Sequence, residues 1–337
     1  VKPRTAVENA RHESGKWHLA LTDTNGGTEN NVTASMVINA AGPYVDDVLK
    51  NVFGRNDAHH VRLVRGSHIV IRKKFQHDRC YIFQNSDERI IFAIPYERDY
   101  TLIGTTDVEH GEMDGPPEIT DEETDYLCKM ASEYFIEEVI RKDIVWTYSG
   151  VRPLYDDGAS KAQEATRDYV IKKDEALGDG SLLNIFGGKI TTFRRLAESV
   201  MEEVEEILGN RGPAWTSGAT LPGGDFPVTG YQDLVEEYAN RFPFLEHGLV
   251  ARLVRHYGTD TGVMLDGIKS LKDMGIDFGA GLFEAEVRYL IAHEWAIEPE
   301  DILFRRTRLG ISMTGQQINA LRDYMKKPAR RNRKRAV

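Results

Sequence analysis

The chain of 337 residues contains only two cysteines and no long uninterrupted apolar run. Cys80 and Cys128 are too few for a disulfide framework or a cysteine-based zinc site, and this usage is typical of a reducing cytoplasm. No run approaches the roughly 18–20 apolar residues of a membrane-spanning helix, so a transmembrane segment is excluded. The chain begins at Val1 in a strand-like run without a leader, and we therefore expect a piece of a longer protein.

The sequence also lacks the short motifs that are typical of zinc proteases, of serine nucleophile elbows and of dinucleotide-binding turns. His293-Glu294 lacks the second histidine of a zinc-protease helix, and His59-His60 has no companion ligand. No Gly-x-Ser-x-Gly elbow occurs, and no Gly-x-Gly-x-x-Gly follows a strand. The sequence predicts neither a metal site nor a nucleophile elbow.

Negative charge dominates all of the chain except its end. The net charge is -10, yet residues 326–337 contain seven Lys or Arg and no acidic residue. An acidic body binds nucleic acid poorly, because phosphate contacts require basic side chains. The basic tail, residues 328–337, either touches an anionic membrane surface or stays solvated without a partner.

The length of 337 residues is enough for two or three globular domains, and the 41% of hydrophobic residues excludes an intrinsically disordered chain. Three strands are predicted at the start, over residues 4–8, 17–23 and 34–41. Four further segments suggest an antiparallel meander: 61–72, 80–84, 89–96 and 100–106. A helix follows, because Thr120 and Glu123 form a capping box ahead of an apolar stripe.

In the second half of the chain, the hydrophobic pattern first predicts both strands and a helix and then predicts helices alone. Strands are predicted over residues 144–149, 167–172 and 182–186, and the last leads into a helix over 191–208 that Gly209 ends. Turn-rich residues 211–229 indicate a linker. The remainder predicts a small all-α domain with helices near residues 231–241, 247–257, 261–273, 282–295, 299–308 and 315–326.

Two glycine turns at strand ends are candidate ligand contacts. Ala41-Gly42-Pro43 follows a small apolar strand, and a glycine there lets the backbone approach a ligand closely. Gly187-Gly188-Lys189 leads through Thr191 and Thr192 into the long helix, whose unpaired N–H groups and positive dipole end suit an anion. An ordinary strand-to-turn transition and a threonine-capped helix entry remain alternative interpretations.

Two arginines and one histidine are candidates for substrate chemistry. Arg152 and Arg167 lie beside strand ends, and guanidinium forks match phosphate or carboxylate oxygens. A structural ion pair is the alternative, with partners available at Asp156, Asp157 and Asp168. His68 lies in an otherwise apolar strand and is either a general base or a structural histidine.

An ordered set of short motifs runs through the chain. The first are Val37-Ile38-Asn39-Ala40-Ala41-Gly42-Pro43, Arg65-Gly66-Ser67-His68 and Ile103-Gly104-Thr105-Thr106-Asp107. Next come Trp146-Thr147-Tyr148-Ser149-Gly150-Val151-Arg152-Pro153-Leu154, Thr166-Arg167-Asp168-Tyr169 and Phe186-Gly187-Gly188-Lys189. The last are Gly212-Pro213-Ala214-Trp215-Thr216, Leu221-Pro222-Gly223-Gly224, Glu284-Ala285-Glu286 and His293-Glu294-Trp295. In this order, over roughly residues 1–327, they resemble the flavin-dependent, aerobic glycerol-3-phosphate dehydrogenases.

The resemblance implies a mixed α+β and α/β fold. It divides the chain into part of an FAD-binding domain of the glutathione-reductase type, an antiparallel-sheet substrate domain and a C-terminal all-α domain. The implied boundaries are 1–54 and 179–210 for the FAD-binding domain, 55–178 for the substrate domain, 211–229 for the linker, 230–327 for the helical domain and 328–337 for the tail.

The resemblance also implies a reaction and a site. The family oxidises sn-glycerol 3-phosphate to dihydroxyacetone phosphate by hydride transfer from C2 to FAD, and passes the electrons to a membrane quinone. The implied catalytic residues are His68, Arg152 and Lys189, and the implied substrate contacts are Arg152, Arg167, Thr106 and Asp107. The implied cofactor contacts are Ala41, Gly42, Pro43, Gly187, Gly188, Lys189, Thr191 and Thr192. A cytoplasmic protein at the inner face of the membrane is expected, and a homodimer is left open.

Departures from the family pattern leave alternatives open. Tyr44 stands where many members have Trp and Arg65 where some have Lys, while the family's N-terminal strand and dinucleotide glycines are absent. We therefore expect the isolated chain neither to hold FAD tightly nor to turn over. The alternatives are a glycerol-3-phosphate oxidase that uses O2, a non-catalytic binding module and an amine- or amino-acid-oxidising relative.

Overall fold

The computed structural model describes residues 1–56, 59–156, 168–174 and 181–326. Its contacts divide the chain into two units, Val1–Ser217 and Gly218–Val337. The division falls within the segment that the sequence predicts to be a linker. No helix in the described residues is long and apolar enough to cross a bilayer.

A three-stranded antiparallel sheet opens the first unit. Its strands are β1 (Thr5–Glu13), β2 (Lys16–Asp23) and β3 (Glu29–Ala34), in that spatial order. β1 extends beyond the predicted 4–8, and the sequence did not predict β3. β3 carries polar, exposed side chains at the sheet edge, so the hydrophobic alternation that marks a strand is missing.

A second small sheet combines distant parts of the chain. β4 (Val37–Asn39) is parallel to β12 (Leu182–Gly187), and β11 (Tyr169–Lys173) pairs antiparallel with β12 on the other side. This pairing places β11 with the glycine-turn strands rather than with the substrate-domain sheet to which 55–178 was assigned. Two helices follow its strands: α1 (Val45–Asn51) and α3 (Phe193–Leu208), the latter ended by Gly209 as predicted.

The predicted meander forms a larger antiparallel sheet in the order β10-β5-β8-β7-β6. Its strands are β5 (Val61–Arg72), β6 (Tyr81–Gln84), β7 (Ile90–Tyr96), β8 (Tyr100–Gly104) and β10 (Ile144–Tyr155), with β9 (Val108–Glu109) beside β5. β10 continues past the predicted end at residue 149. Pro153 is tolerated because β10 is an edge strand.

Helix α2 (Asp121–Ser132) covers one face of this sheet and starts at the predicted capping box of Thr120 and Glu123. The apolar core between them contains Ile69, Ile71, Phe83, Ile91, Ile103, Leu127 and Met130. Because side chains alternate along a strand, odd-numbered residues of β5 face α2 and even-numbered ones face away. The second face therefore carries side chains that do not pack against α2.

A buried carboxylate joins α2 to the sheet. Glu123 accepts hydrogen bonds from the hydroxyls of Ser67 (2.8 Å) and Thr106 (2.6 Å), and pairs with Arg65 at 2.9 Å. Burial alone would raise the pKa of Glu123, but the hydrogen bonds from Thr106, the Thr120 amide and Ser67, together with Arg65, hold it below its ordinary value. The network joins the middle of β5 and the segment that follows β8 to the start of α2.

Replacing Glu123 by glutamine is expected to lower the free energy of unfolding by about 2–4 kcal/mol, because Arg65 loses its buried partner. The ionised carboxylate contributes to the free energy of unfolding at neutral pH. This contribution is lost as the pH falls through the lowered pKa of Glu123. Urea denaturation at several pH values measures it. Glu118→Gln, at an exposed position just before α2, is the control. Equal stability of both variants would contradict the assignment.

The second unit is mainly helical. It contains α4 (Tyr231–Arg241), α5 (His247–Tyr257), α6 (Thr261–Met264), α7 (Glu284–His293) and α8 (Gly315–Lys326), with a π-helical segment over Asp301–Arg306. The predicted helix over 261–273 is wrong beyond Met264, since Gly267 has a positive φ of 76°. A hairpin of β13 (Asp277–Gly279) and β14 (Leu282–Phe283) adds two short strands to the predicted all-α domain.

Candidate active site

The two predicted glycine turns lie at one edge of the small sheet. β4 and β12 are parallel, so the turns that follow them emerge at the same, carboxyl edge. The side chains of Asn39 and Asn184, which face each other across the strands, are joined by a 3.1 Å hydrogen bond, and Asn39 also donates to the carbonyl of Val45. These bonds fix the start of the first turn relative to the second.

The backbone at these turns is one that only glycine adopts readily. Gly42, Gly187 and Gly188 have φ values of 57°, 70° and 95°. A Cβ on Gly187 would also lie 2.8 Å from the carbonyl oxygen of Asp168. The turns therefore bring bare backbone to a sheet edge where ligands of open α/β sheets bind.

The start of α3 leaves its first N–H groups without a side-chain cap. Thr192 precedes the helix, but its hydroxyl donates to the carbonyl of Lys189 at 3.1 Å instead of accepting a helix N–H. The threonine-capped entry considered from the sequence is therefore wrong. Lys189 and Thr191 are exposed beside this helix end, which suits an anionic group.

The second face of the large sheet holds His68. Gly104, His68 and Tyr148 are aligned across β8, β5 and β10. The imidazole stacks on the Tyr148 ring, with centroids 4.8 Å apart and planes within 7°, and a Cβ on Gly104 would overlap the imidazole. The ring is thus held between an aromatic face and bare backbone.

Burial first, and the positive charge of Arg152 second, lower the pKa of His68 to about 4. The imidazole is therefore neutral at physiological pH. Its Nδ1 is buried and has no hydrogen-bond partner within the described part of the chain. A neutral imidazole has one unprotonated ring nitrogen, which can accept a hydrogen bond or a proton.

Arg152 lies on the same face. Its guanidinium covers Gly66, where a Cβ would be only 2.5 Å from Nη2. It donates to the carboxylate of Asp107 at 2.7 Å and to the hydroxyl of Thr105 at 3.2 Å. The ion-pair partner of this arginine is thus Asp107, a residue that the family resemblance implies as a substrate contact.

The structure brings His68, Arg152 and Asp107 together on one face and connects them to the second glycine turn. The carbonyl of Pro153, next to Arg152 on β10, lies 3.6 Å from the Cβ position of Gly187. Thr106 lies apart from this cluster, because it is buried and donates to Glu123 on the α2 side. Arg167 lies outside the described residues.

Four residues of this face stand in the motifs quoted above but were given no role there: Gly66, Gly104, Thr105 and Tyr148. The strand register places Gly104 and Tyr148 on either side of His68. A separate cavity of about 650 Å³ in the same unit is lined by residues such as Arg55, His60 and Lys173, and by none of the predicted site residues. Within the described ranges, no three His, Cys, Asp or Glu side chains form a potential metal site.

Comparison with known proteins identifies the class. Residues 1–184 match the family described as FAD dependent oxidoreductase, and residues 214–333 match the C-terminal domain of alpha-glycerophosphate oxidase. A glycerol-3-phosphate dehydrogenase of Bacillus halodurans, solved in complex with FAD, has a similar structure: the TM-score is 0.80 at 26% identity, over 95% of this chain and 64% of that one. The chain belongs to the FAD-dependent oxidoreductases.

Individual relatives show which enzymes of this class the chain is similar to. A glycerol-3-phosphate dehydrogenase of Pseudomonas aeruginosa is 39% identical over 96% of this chain and 63% of its own length. A D-erythritol 1-phosphate dehydrogenase of Brucella abortus is 41% identical over 96% and 64%. The aerobic glycerol-3-phosphate dehydrogenase of Escherichia coli is 37% identical over 96% and 65%. The chain thus spans just under two thirds of the length of these curated relatives, and the family resemblance in the sequence is confirmed.

The described residues fit one end of FAD, the cofactor of this family. The glycine turns provide a cradle that side chains would fill, the α3 N-terminus suits an anionic group, and the buried Nδ1 of His68 lacks a partner among the residues described. These features meet beside the face that carries Arg152. The 337 residues contain no Gly-x-Gly-x-x-Gly motif, the usual pyrophosphate-binding turn of dinucleotide cofactors.

Proposed function

We propose that the protein containing this chain oxidises sn-glycerol 3-phosphate to dihydroxyacetone phosphate with FAD and passes the electrons to a respiratory quinone. The observation that carries the proposal is the pairing of a neutral histidine with an oriented arginine on one sheet face, beside two glycine turns. Relatives of three organisms act, by their names, on glycerol 3-phosphate or D-erythritol 1-phosphate. Both compounds are polyol phosphates.

Each part of the face has a role in this proposal. Arg152, oriented by Asp107 and Thr105, binds the substrate phosphate through its remaining N–H donors. His68, neutral at physiological pH, accepts the proton of the C2 hydroxyl. Lys189 and the α3 N-terminus stabilise negative charge at the turn. When bound, FAD supplies the two-electron oxidising capacity that the conversion requires.

The visible spectrum of the full-length flavoprotein tests the proposal. Anaerobic sn-glycerol 3-phosphate should bleach the oxidised flavin, whereas glycerol and amino acids should not. A flavin that stays oxidised with every polyol phosphate would overturn the substrate, and bleaching by amino acids would favour an amino-acid oxidase. A protein without bound flavin would favour a non-catalytic binding module.

A second candidate substrate is D-erythritol 1-phosphate, since the relative named for it shares 41% identity with this chain. The same titration with both phosphates compares them. Bleaching at much lower concentrations of the four-carbon compound would replace glycerol 3-phosphate as the substrate.

The electron acceptor and the location belong to the same proposal. We place the protein on the cytoplasmic side of the membrane, with the basic tail on anionic lipid; residues 328–337 lie outside the described part of the chain. Quinone reduction without matching peroxide would support a dehydrogenase, and peroxide equal to substrate consumed would favour an oxidase. Cosedimentation with phosphatidylserine vesicles, with and without residues 328–337, tests the contact, and size-exclusion chromatography tests for a homodimer.

A further inference from the structure

The hydroxyl of Thr106 is bonded on the α2 side of the large sheet, opposite the face that carries the candidate site. It donates to Oε1 of Glu123 at 2.6 Å and accepts the backbone N–H of Ser67 at 3.0 Å. The same carboxylate oxygen accepts the Ser67 hydroxyl at 2.8 Å. Glu123 is itself fixed, because its other oxygen pairs with Arg65 at 2.9 Å and accepts the N–H of Thr120 at 3.0 Å. One buried carboxylate thus holds two segments of the sheet through Thr106 and Ser67.

The first segment has Thr106 in its middle and orients Arg152 from its outer residues. Thr105 and Asp107, the chain neighbours of Thr106, accept hydrogen bonds from the guanidinium at 3.2 and 2.7 Å. Neighbouring residues of an extended chain point to opposite sides. The anchor on Glu123 and the two acceptors of the guanidinium therefore belong to the same three residues and act on opposite faces of the sheet.

The second segment lies in β5 and carries the floor of the guanidinium. Gly66, the chain neighbour of Ser67, is covered by Arg152, since a Cβ there would lie 2.5 Å from Nη2. The bond from the Ser67 N–H to the Thr106 hydroxyl fixes this floor relative to the segment that orients the guanidinium. The second backbone link between the two segments, from the Thr106 N–H to the Ser67 carbonyl, is longer at 3.4 Å. The short contacts of the Thr106 hydroxyl are thus the main tie between floor and acceptors.

We propose that Thr106, anchored on Glu123, is a positioning residue for Arg152, an inference that rests on the proposed function. From the opposite face of the sheet, its hydroxyl holds both the acceptors beside the guanidinium and the floor beneath it. The N–H donors that remain on Arg152 then point in a fixed direction, as bidentate recognition of a phosphate requires. Thr106 acts through Arg152 and makes no contact with the substrate.

The test compares Thr106→Val with the wild-type full-length flavoprotein. Valine has nearly the shape of threonine, but it neither donates to Glu123 nor accepts from Ser67. The calorimetric dissociation constant of inorganic phosphate and the KM for sn-glycerol 3-phosphate should each rise about 10-fold, since misplacing a group in a site by about 1 Å costs up to about 100-fold. The fall in kcat should be smaller. Thr106→Ser keeps the hydroxyl and should recover the wild-type values.

A double-mutant cycle separates positioning from a general loss of structure. In an Arg152→Ala background, Thr106→Val should lower kcat/KM by much less than it does in the wild type, because the guanidinium on which Thr106 acts is absent. Equal reductions in the two backgrounds would overturn the positioning role. An unchanged KM in Thr106→Val, or a failure of Thr106→Ser to recover it, would overturn the role as well.

Thr101→Val is the matched control for stability. Thr101 is a buried threonine of β8 on the α2 side of the sheet, and its hydroxyl accepts the N–H of Lys74 at 3.0 Å, outside the contacts of Glu123. Urea denaturation should show a loss of stability in this variant too, but KM should stay unchanged. A rise in KM equal to that of Thr106→Val would assign both effects to destabilisation and overturn the proposal. A wild-type flavoprotein that oxidises no polyol phosphate would instead overturn the proposed function, and the phosphate dissociation constants would still test the action of Thr106 on Arg152.

Discussion

Replacing Arg152 by alanine is expected to raise the KM for sn-glycerol 3-phosphate about 100-fold or more while kcat falls by much less. Loss of a charged partner from a partly buried ion pair costs several kcal/mol, and each 1.4 kcal/mol is tenfold in affinity. The guanidinium is held in place before substrate binds, because Asp107 and Thr105 orient it over Gly66. Steady-state kinetics and the phosphate dissociation constant measure the loss.

The same substitution should change a second observable. The charge of Arg152 contributes to the lowered pKa of His68, so its removal should move that pKa upward from about 4. The acid limb of the kcat/KM profile should move to higher pH accordingly. Arg152→Lys should recover part of the affinity without the bidentate geometry. Arg72→Ala, an exposed arginine at the end of β5, is the control; an unchanged KM in Arg152→Ala would remove Arg152 from the site.

Local patterns in the sequence were sufficient to predict many of the strands and helices. Apolar alternation in β5–β8 and the capping box of α2 lie within contiguous segments, so the sequence alone predicted them. Polar β3 has no such alternation, since its side chains face solvent. The extension of β10 was missed because Gly150 and Pro153 resemble strand breakers, whereas at a sheet edge they are tolerated.

The sequence analysis named individual residues of the candidate site, but it did not predict which of them lie together. Thr106 and Asp107 are neighbours in one motif, yet Thr106 reaches Glu123 on the α2 side and Asp107 reaches Arg152. Neighbouring residues of an extended segment point to opposite sides, and no sequence pattern states which side is functional. The pairing of His68 with Tyr148 depends on a register between strands about 80 residues apart, which local patterns do not determine.

Replacing His68 by asparagine is expected to lower kcat by a factor of about 10²–10⁴, the usual contribution of a general base, with a smaller effect on KM. In the wild type, the acid limb of kcat/KM that His68 causes should lie near pH 4, because the imidazole is neutral above that pH. In the variant the acid limb that this group causes should be absent. The pH dependence of kcat/KM measures both effects, and His18→Asn, at an exposed histidine of β2, should retain the wild-type profile.

Stability gives a readout of His68 that does not depend on turnover. The unfolded imidazole binds a proton near pH 6.5, whereas the native one does so only near pH 4, so between these values the unfolded state holds more protons. The stabilisation is complete above pH 6.5 and is lost as the pH falls to about 4, by up to about 3 kcal/mol. Urea denaturation should therefore show a smaller loss over this interval in His68→Asn than in the wild type. Because Arg152 is the second cause of the lowered pKa, Arg152→Ala should give an intermediate loss; identical slopes in all three proteins would show that His68 titrates normally and would argue against its role as the neutral base.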